Sequence, residues 1–228
     1  MTTQSFYEIM PTQTFNNLSE EKQTRIITEC FKEFALNDYQ QASISQIVKK
    51  LGIAKGSIFQ YFGSKKELYR FLINYAGQKK LEVSKSMLET EIEDFFLWYK
   101  RVYAFGIQFD LKYPLYSGFL YNVTRERNFD DFEAFRIDEK TQVFQFIESK
   151  LKEQQEKGKI RTDISINALS FIFYQAHIGV FDYLSYVHKV DFRENIRQGK
   201  PLFTVTDKQI KELLHEFTSI LKCGMQKQ

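Results

Sequence analysis

SISQIVKKLGIAKGSIFQYFGSKKEL, residues Ser43 to Leu68, is the stretch of this chain that decides the fold. Its first half carries four apolar residues at the spacing of one helix face: Ile44, Ile47, Val48 and Leu51. Ser43 with Gln46 three residues later predicts a capped helix start. Gly52 follows the last apolar residue, where a helix commonly ends in a left-handed conformation. The pattern predicts a helix of two turns that ends at a glycine.

A second short helix is predicted over residues 55–62, with Ile58 and Phe62 on its inner face. Ser64 with Glu67 then predicts a fresh capped start for a third helix. We find no glycine- or proline-rich linker after that start, so we expect this helix to continue without interruption into the following part of the chain. Two short helices joined by a glycine turn are the outline of a helix-turn-helix.

The same stretch carries a family resemblance. Ser43 stands four residues before Ile47, then GIAKGSIFQYF follows, and SKKEL opens the next helix. These residues resemble the DNA-binding signature of the TetR family of bacterial transcription regulators, and the chain is similar to that family in length and layout. The resemblance implies an N-terminal DNA-binding unit and a C-terminal domain that binds a small molecule and forms a dimer.

Composition agrees with a helical protein. The 228 residues are 43% hydrophobic and 27% charged, with only 3 prolines, and no stretch of useful length alternates as a strand would. The predicted fold is all-α, with a three-helix helix-turn-helix unit joined by a continuous helix to a larger helical domain. The predicted divisions are an N-terminal arm (1–18), a DNA-binding domain (19–64) and a ligand-binding and dimerisation domain (65–228).

Positive charge is concentrated on the predicted DNA-binding unit. Between Ser43 and Lys80 there are eight basic residues and one acidic residue, whereas from Leu81 onward the two kinds nearly balance. A lysine-rich helix alone indicates a solvated surface. Its coincidence with the helix-turn-helix favours a phosphate-binding surface instead.

The second short helix is predicted to read DNA. Gln60 has the amide that pairs with adenine, Lys55 can bond guanine or phosphate, and Phe59 can contact a thymine methyl group. The resemblance assigns phosphate contacts to Tyr61 and Lys65. The full set of predicted DNA-binding residues is Ser45, Lys55, Gly56, Ser57, Phe59, Gln60, Tyr61 and Lys65. The alternatives are that the two aromatic residues belong to the core and that Lys55 and Gln60 are idle surface.

Two positions depart from the family pattern. Phe59 stands where a tyrosine is usual, so a hydroxyl contact is missing. Ala54 stands where a serine is usual, so we expect the second helix to lack a side-chain cap, a loss of roughly 1 kcal/mol.

By the resemblance, the C-terminal part holds an apolar or aromatic effector between aromatic-rich helices. The predicted pocket residues are Trp98, Val102, Phe105, Phe109, Phe119, Phe144, Phe173 and His177. The alternative is that these are ordinary core residues, and an isolated histidine on an apolar helix is more often structural than a metal ligand.

A homodimer is predicted through helices at 166–187 and 207–222, because each carries more apolar surface than one core needs. Such a dimer would place two reading helices one DNA turn apart on a palindromic operator. The N-terminal arm is expected either to be disordered or to fold against the body through Phe6, Tyr7 and Phe15.

Other function classes lack support in the sequence. We find no phosphate-binding glycine loop, no catalytic constellation and no metal-ligand spacing of the two cysteines, and we therefore expect neither enzymatic activity nor a cofactor. No signal peptide or membrane span is apparent, which favours the cytoplasm. The sequence predicts a ligand-responsive dimeric regulator, most often a repressor. The alternative is an all-α ligand-binding or interaction protein whose helix-turn-helix is structural only.

Overall fold

The computed structural model describes residues 10–88, 94–126 and 133–225. Every regular element within these ranges is a helix, which confirms the predicted all-α class. The helices are α1 (Gln13–Asn16), α2 (Glu20–Leu36), α3 (Ile44–Leu51), α4 (Lys55–Phe62), α5 (Lys65–Leu88), α6 (Phe95–Lys112), α7 (Pro114–Arg125), α8 (Glu133–Glu156), α9 (Ile166–Ile178), α10 (Val180–Val187), α11 (Phe192–Arg197) and α12 (Asp207–Met225).

Local capping chemistry sets the helix boundaries. The Ser43 hydroxyl accepts from the backbone N–H of Gln46, and Gly52 ends α3 with a φ of 70°. Thr206 and Gln209 bond each other's backbone N–H in a reciprocal capping box at the start of α12. As predicted, α5 runs on without a break.

Two elements differ from the sequence prediction. The helix expected over 166–187 is divided into α9 and α10 at Gly179, whose ψ of −9° departs from the typical α-helical value of about −42°. The expected loop over 190–205 contains α11, which buries Phe192 and Ile196 one turn apart. Six residues with two apolar positions are too short for periodicity to distinguish a helix from a loop.

The helices form two compact units. Unit 1 comprises Met1–Val83, Phe109–Glu126 and Phe192–Leu202, and unit 2 comprises Ser84–Gln108, Arg127–Asp191 and Phe203–Gln228. In unit 1, α2 packs against α3, α7 and α11, and in unit 2, α9 packs against α8, α10 and α12. α5 and α6 each carry residues of both units.

An aromatic cluster forms the core of unit 1. The Phe119 ring of α7 is fully buried and lies 5.3 Å from Phe31, 6.4 Å from Phe34 and 5.1 Å from Tyr69, between ring centroids. The first two partners belong to α2 and the third to α5. This cluster therefore fixes α7 against the helices that support the helix-turn-helix.

Candidate nucleic-acid interface

α3 and α4 form the predicted helix-turn-helix. The inner faces of both helices are buried, with Ile47 and Ile58 fully enclosed. Ala54 occupies the cap position before α4, where its extended backbone suits a cap but its methyl group makes no hydrogen bond. As predicted, α4 therefore has no side-chain cap.

The outer side of α4 presents polar and aromatic side chains. Lys55, Gly56 and Gln60 are exposed, and the Phe59 ring keeps 40% of its surface accessible, so this ring is not a core residue. Ser57 and Tyr61 are half-buried, and Ser45 on α3 is exposed. The structure therefore brings seven of the eight predicted residues together on α3 and α4, with their surfaces wholly or partly open.

Tyr61 has two neighbours that explain its partial burial. Its ring meets Phe15 edge-on at 5.7 Å between centroids, and it lies 6.4 Å from Phe62. Phe15 belongs to α1, so part of the predicted N-terminal arm is folded against the body. Phe6 and Tyr7, also predicted to contact the body, lie outside the described residues.

Lys65, the eighth predicted residue, is held at the start of α5. Its ammonium donates to the carbonyl oxygen of Ala42 at 2.6 Å and lies 4.6 Å from the centre of the Tyr39 ring. Desolvation lowers the pKa of this lysine, and the charge of Glu126 opposes the shift. Lys65, at the start of α5, therefore holds the turn that precedes α3.

A buried carboxylate fixes the same turn from the other side. Glu33 of α2 accepts the backbone N–H of Ser43 at 3.0 Å and lies 3.5 Å from the ammonium of Lys50. Because Ser43 is the cap of α3, this carboxylate sets where α3 begins relative to α2.

α7 supplies polar contacts that the sequence did not reveal. The Asn122 amide donates to the carbonyl oxygens of Phe34 and Ala35, both at 2.9 Å, and so satisfies the buried end of α2. Arg193 of α11 bonds both Asn122 and Asp38. Partners 71 to 155 residues apart give no local pattern from which these roles could be predicted.

Glu126, at the end of α7, bonds the segment between α2 and α3. It accepts the backbone N–H of Tyr39 and the hydroxyl of Tyr69, the latter at 2.7 Å. Burial raises the pKa of the Glu126 carboxyl, although these two hydrogen bonds act in the opposite direction. Together with Asn122, this residue makes α7 part of the support of the helix-turn-helix.

The predicted pocket residues divide between the units. Trp98, Val102, Phe105, Phe144, Phe173 and His177 lie in unit 2, whereas Phe109 and Phe119 lie in unit 1. In unit 2 the Phe173 ring of α9 lies 4.2 Å from Tyr99 of α6, between centroids. Trp98 lies 5.7 Å from Phe95 and 6.3 Å from Phe146.

His177 is held by an aromatic neighbour. The Tyr103 ring meets its imidazole edge-on at 5.0 Å between centroids, and the Tyr103 hydroxyl donates to the His177 carbonyl oxygen at 2.9 Å. Among the described residues no group of three or more histidine, cysteine or acidic side chains is arranged to hold a metal ion. None of the described helices has the length and apolarity that a membrane span requires.

Comparisons with known proteins agree with this architecture. The family model for bacterial regulatory proteins of the tetR family matches residues 26–71. A TetR family transcriptional regulator from Chloroflexus aurantiacus J-10-FL is 26% identical, with 96% of this chain and 100% of that chain covered and a TM-score of 0.81. No curated protein matches the sequence significantly.

Two more distant solved structures share the fold. A TetR-like transcriptional regulator from Rhodococcus sp. RHA1 is 14% identical, covers 89% of this chain and 94% of its own, and gives a TM-score of 0.62. AibR, solved in complex with isovaleryl coenzyme A and operator DNA, is 15% identical over 87% of this chain and 97% of its own, with a TM-score of 0.65.

Proposed function

We propose that this chain is a dimeric repressor of the TetR family of bacterial regulatory proteins, and that it releases a palindromic operator when it binds an apolar or aromatic effector. The observation that carries the proposal is the outer side of α4. It exposes Lys55, Phe59 and Gln60 while the inner side of the same helix is buried.

The chemistry of these side chains suits base recognition. A glutamine amide pairs with adenine in the major groove, lysine bonds guanine or phosphate, and an exposed phenyl ring suits a thymine methyl group. Lys65 already donates to the carbonyl oxygens of Ala42 and Gln40. A third ammonium N–H remains for a phosphate oxygen.

Exposed apolar surface on α9, α10 and α12 supports the proposed dimer. Five large side chains on these helices are exposed: Phe171, Ile172, Tyr186, Val187 and Ile220. A chain that leaves such side chains in water gains by covering them, and a symmetric pair of copies does so with one self-complementary surface. The helices are those predicted from the sequence for this role.

We place the effector in unit 2, among the aromatic residues of α6, α8 and α9. The structure of AibR in complex with isovaleryl coenzyme A and operator DNA supports a regulator of this fold that binds both a small molecule and DNA. The proposed contacts are the six predicted residues of this unit: Trp98, Val102, Phe105, Phe144, Phe173 and His177.

Release of DNA is proposed to follow a population shift. The effector favours a conformation in which α5 moves, and α5 leads directly from α4. Within unit 1, Asn122 ties α7 to the end of α2, and Glu126 ties it to Tyr39. A displaced α7 would therefore also move the turn that sets the start of α3.

The experiment is selection of a duplex from a random pool by the full chain, followed by affinity measurements on the selected sequence. Lys55→Ala combined with Gln60→Ala should weaken binding at least about tenfold, because a base contact contributes about 1–3 kcal/mol. The matched control is Gln145→Ala with Lys152→Ala, two exposed α8 residues of the same types. Equal affinity of the two double variants would contradict the proposal, and absence of any selected duplex would favour a purely structural helix-turn-helix.

A further inference from the structure

The C-terminal end of α4 depends on residues 11–18 of the N-terminal arm. A helix leaves its last four carbonyl groups without intrahelical partners. In α4 these belong to Phe59, Gln60, Tyr61 and Phe62. The backbone N–H of Gly63 reaches the first of them at 2.8 Å, and the N–H of Ser64 reaches the last at 2.9 Å. The two middle carbonyl groups receive nothing from the turn that follows.

Thr12 supplies both missing hydrogen bonds. Its backbone N–H donates to the Tyr61 carbonyl oxygen at 2.9 Å, and its hydroxyl donates to the Gln60 carbonyl oxygen at 2.7 Å. One residue, 48 positions away from Gln60 in the sequence, thus completes the end of α4.

Phe15 adds an apolar contact beside these bonds. Its ring is 2% exposed and lies 4.9 Å from Phe62, 5.7 Å from Tyr61 and 6.4 Å from Phe71, between centroids. Gln23 of α2 holds the other end of the arm by donating to the carbonyl oxygen of Leu18 at 2.9 Å. The arm is therefore anchored on α2 and packs on α4 and α5.

α4 has little stability of its own. It has eight residues, includes Gly56 and has no side-chain cap at Ala54. Helices shorter than about 12 residues are marginal in water, so tertiary contacts must hold α4 in shape. Gln60, the residue proposed to read adenine, lies in the turn whose carbonyl groups Thr12 bonds.

We propose that the N-terminal arm is a positioning element for DNA reading, in which Thr12 caps and Phe15 clamps the C-terminal turn of α4. The inference rests on the proposed DNA-binding function. It does not require the arm to touch DNA, and between Pro11 and Leu18 the arm has no basic side chain with which to bind a phosphate. Thr12 and Phe15 are thus positioning residues that act through Gln60 and Tyr61.

The test compares substitutions at Thr12 in the full chain. Thr12→Val removes the hydroxyl donor, and Thr12→Pro removes both donors at a φ of −61° that proline accepts. Thr12→Ser retains both. Thr14→Val is the matched control, since Thr14 is exposed and its hydroxyl has no hydrogen bond in the described part of the chain.

The first readout is amide hydrogen exchange without DNA. Thr12→Pro should accelerate exchange of the α4 amides while the buried centre of α2 keeps its protection, because the two hydrogen bonds that Thr12 donates reach only the end of α4. Equal acceleration in both helices would indicate general destabilisation and would overturn the positioning role.

The second readout is affinity for the duplex selected by the unmodified protein. Loss of one or both hydrogen bonds should weaken binding about threefold to tenfold, with Thr12→Ser and Thr14→Val unchanged. The dependence of affinity on salt should keep its slope, because no phosphate contact is removed. Unchanged affinity of Thr12→Pro would refute this inference but not the proposed DNA-binding function. Failure of the unmodified protein to select any duplex would refute the proposed function, while hydrogen exchange would still test the cap.

Discussion

The two compact units differ in whether their buried polar side chains have hydrogen-bond partners. In unit 1 the buried side chains of Glu33, Asp110, Ser117 and Asn122 all have hydrogen-bond partners. In unit 2 the buried side chains of Gln154 and Ser170 have no hydrogen-bond partner in the ranges that the structure describes. Because burying an unpaired polar group costs free energy, the buried side chains of Gln154 and Ser170 are less favourable to stability than the paired ones of unit 1.

This difference matches what each unit is proposed to do. A surface that reads DNA must hold side chains in fixed positions, and the paired polar groups of unit 1 fix the ends of α2 and α3. Unit 2 is proposed to bind an effector and a second copy of the chain. Exposed apolar side chains and polar groups without hydrogen bonds suit that role, because binding can supply their missing contacts. Of the large hydrophobic side chains in the described residues, the two with the highest exposed fraction lie in unit 2: Tyr186 at 79% and Ile220 at 71%.

The largest expected effect is on assembly. Ile172→Glu places a charge on the proposed dimer surface of unit 2, and the two-fold symmetry places two such charges in each dimer. Desolvating an unpaired charge is unfavourable, so we expect the dimer dissociation constant to rise more than about a hundredfold. Sedimentation equilibrium measures it. Leu97→Glu is the control, because Leu97 is exposed on α6, outside the proposed dimer helices, and should leave the dimer intact.

A pair of substitutions tests the polar contrast between the units. Asn122→Leu leaves the carbonyl groups of Phe34 and Ala35 without their donor, and should reduce the free energy of unfolding by about 2–4 kcal/mol. Gln154→Met removes a buried amide that has no partner in the described residues, and should be neutral or stabilising by about 1 kcal/mol. Urea denaturation of both variants decides the matter. Destabilisation by both to the same extent would show that the units do not differ in this respect.

The sequence predicted the helix-turn-helix to the residue because local chemistry determines it. α3 and α4 have the predicted bounds, since Ser43, Gly52 and the inner-face spacing all act within a few positions. The supporting contacts of Asn122, Glu126 and Arg193 were not predicted, because their partners are distant in sequence. The split at Gly179 was missed for a different reason. Apolar residues continue on both sides of it, so periodicity gave no sign of two helices.

The smallest effect concerns pH and again separates the units. Burial raises the pKa of Asp110 in unit 1, so the folded state holds its proton more tightly than the unfolded state, and its contribution to stability is lost as the pH rises above the ordinary value of 3.8. The hydrogen bond from Arg161 lowers the pKa of Asp163 in unit 2, so its contribution is present above 3.8 and is lost as the pH falls.

Unfolding free energies measured across this range should therefore change in opposite ways for two variants. Relative to the unmodified protein, Asp110→Asn should gain stability as the pH rises, and Asp163→Asn should lose it. Parallel profiles for both variants would contradict the assigned environments.

The central claim is that unit 1 presents α4 to specific DNA. Its most direct test is the affinity of the unmodified full chain for its selected duplex and for a scrambled duplex, each measured over a series of salt concentrations. We expect a palindromic selected sequence with half-sites about 10 base pairs apart, bound at least about a thousandfold more tightly than the scrambled one, and affinity for both that falls steeply with salt. Equal affinity for the two duplexes, or affinity insensitive to salt, would contradict the claim.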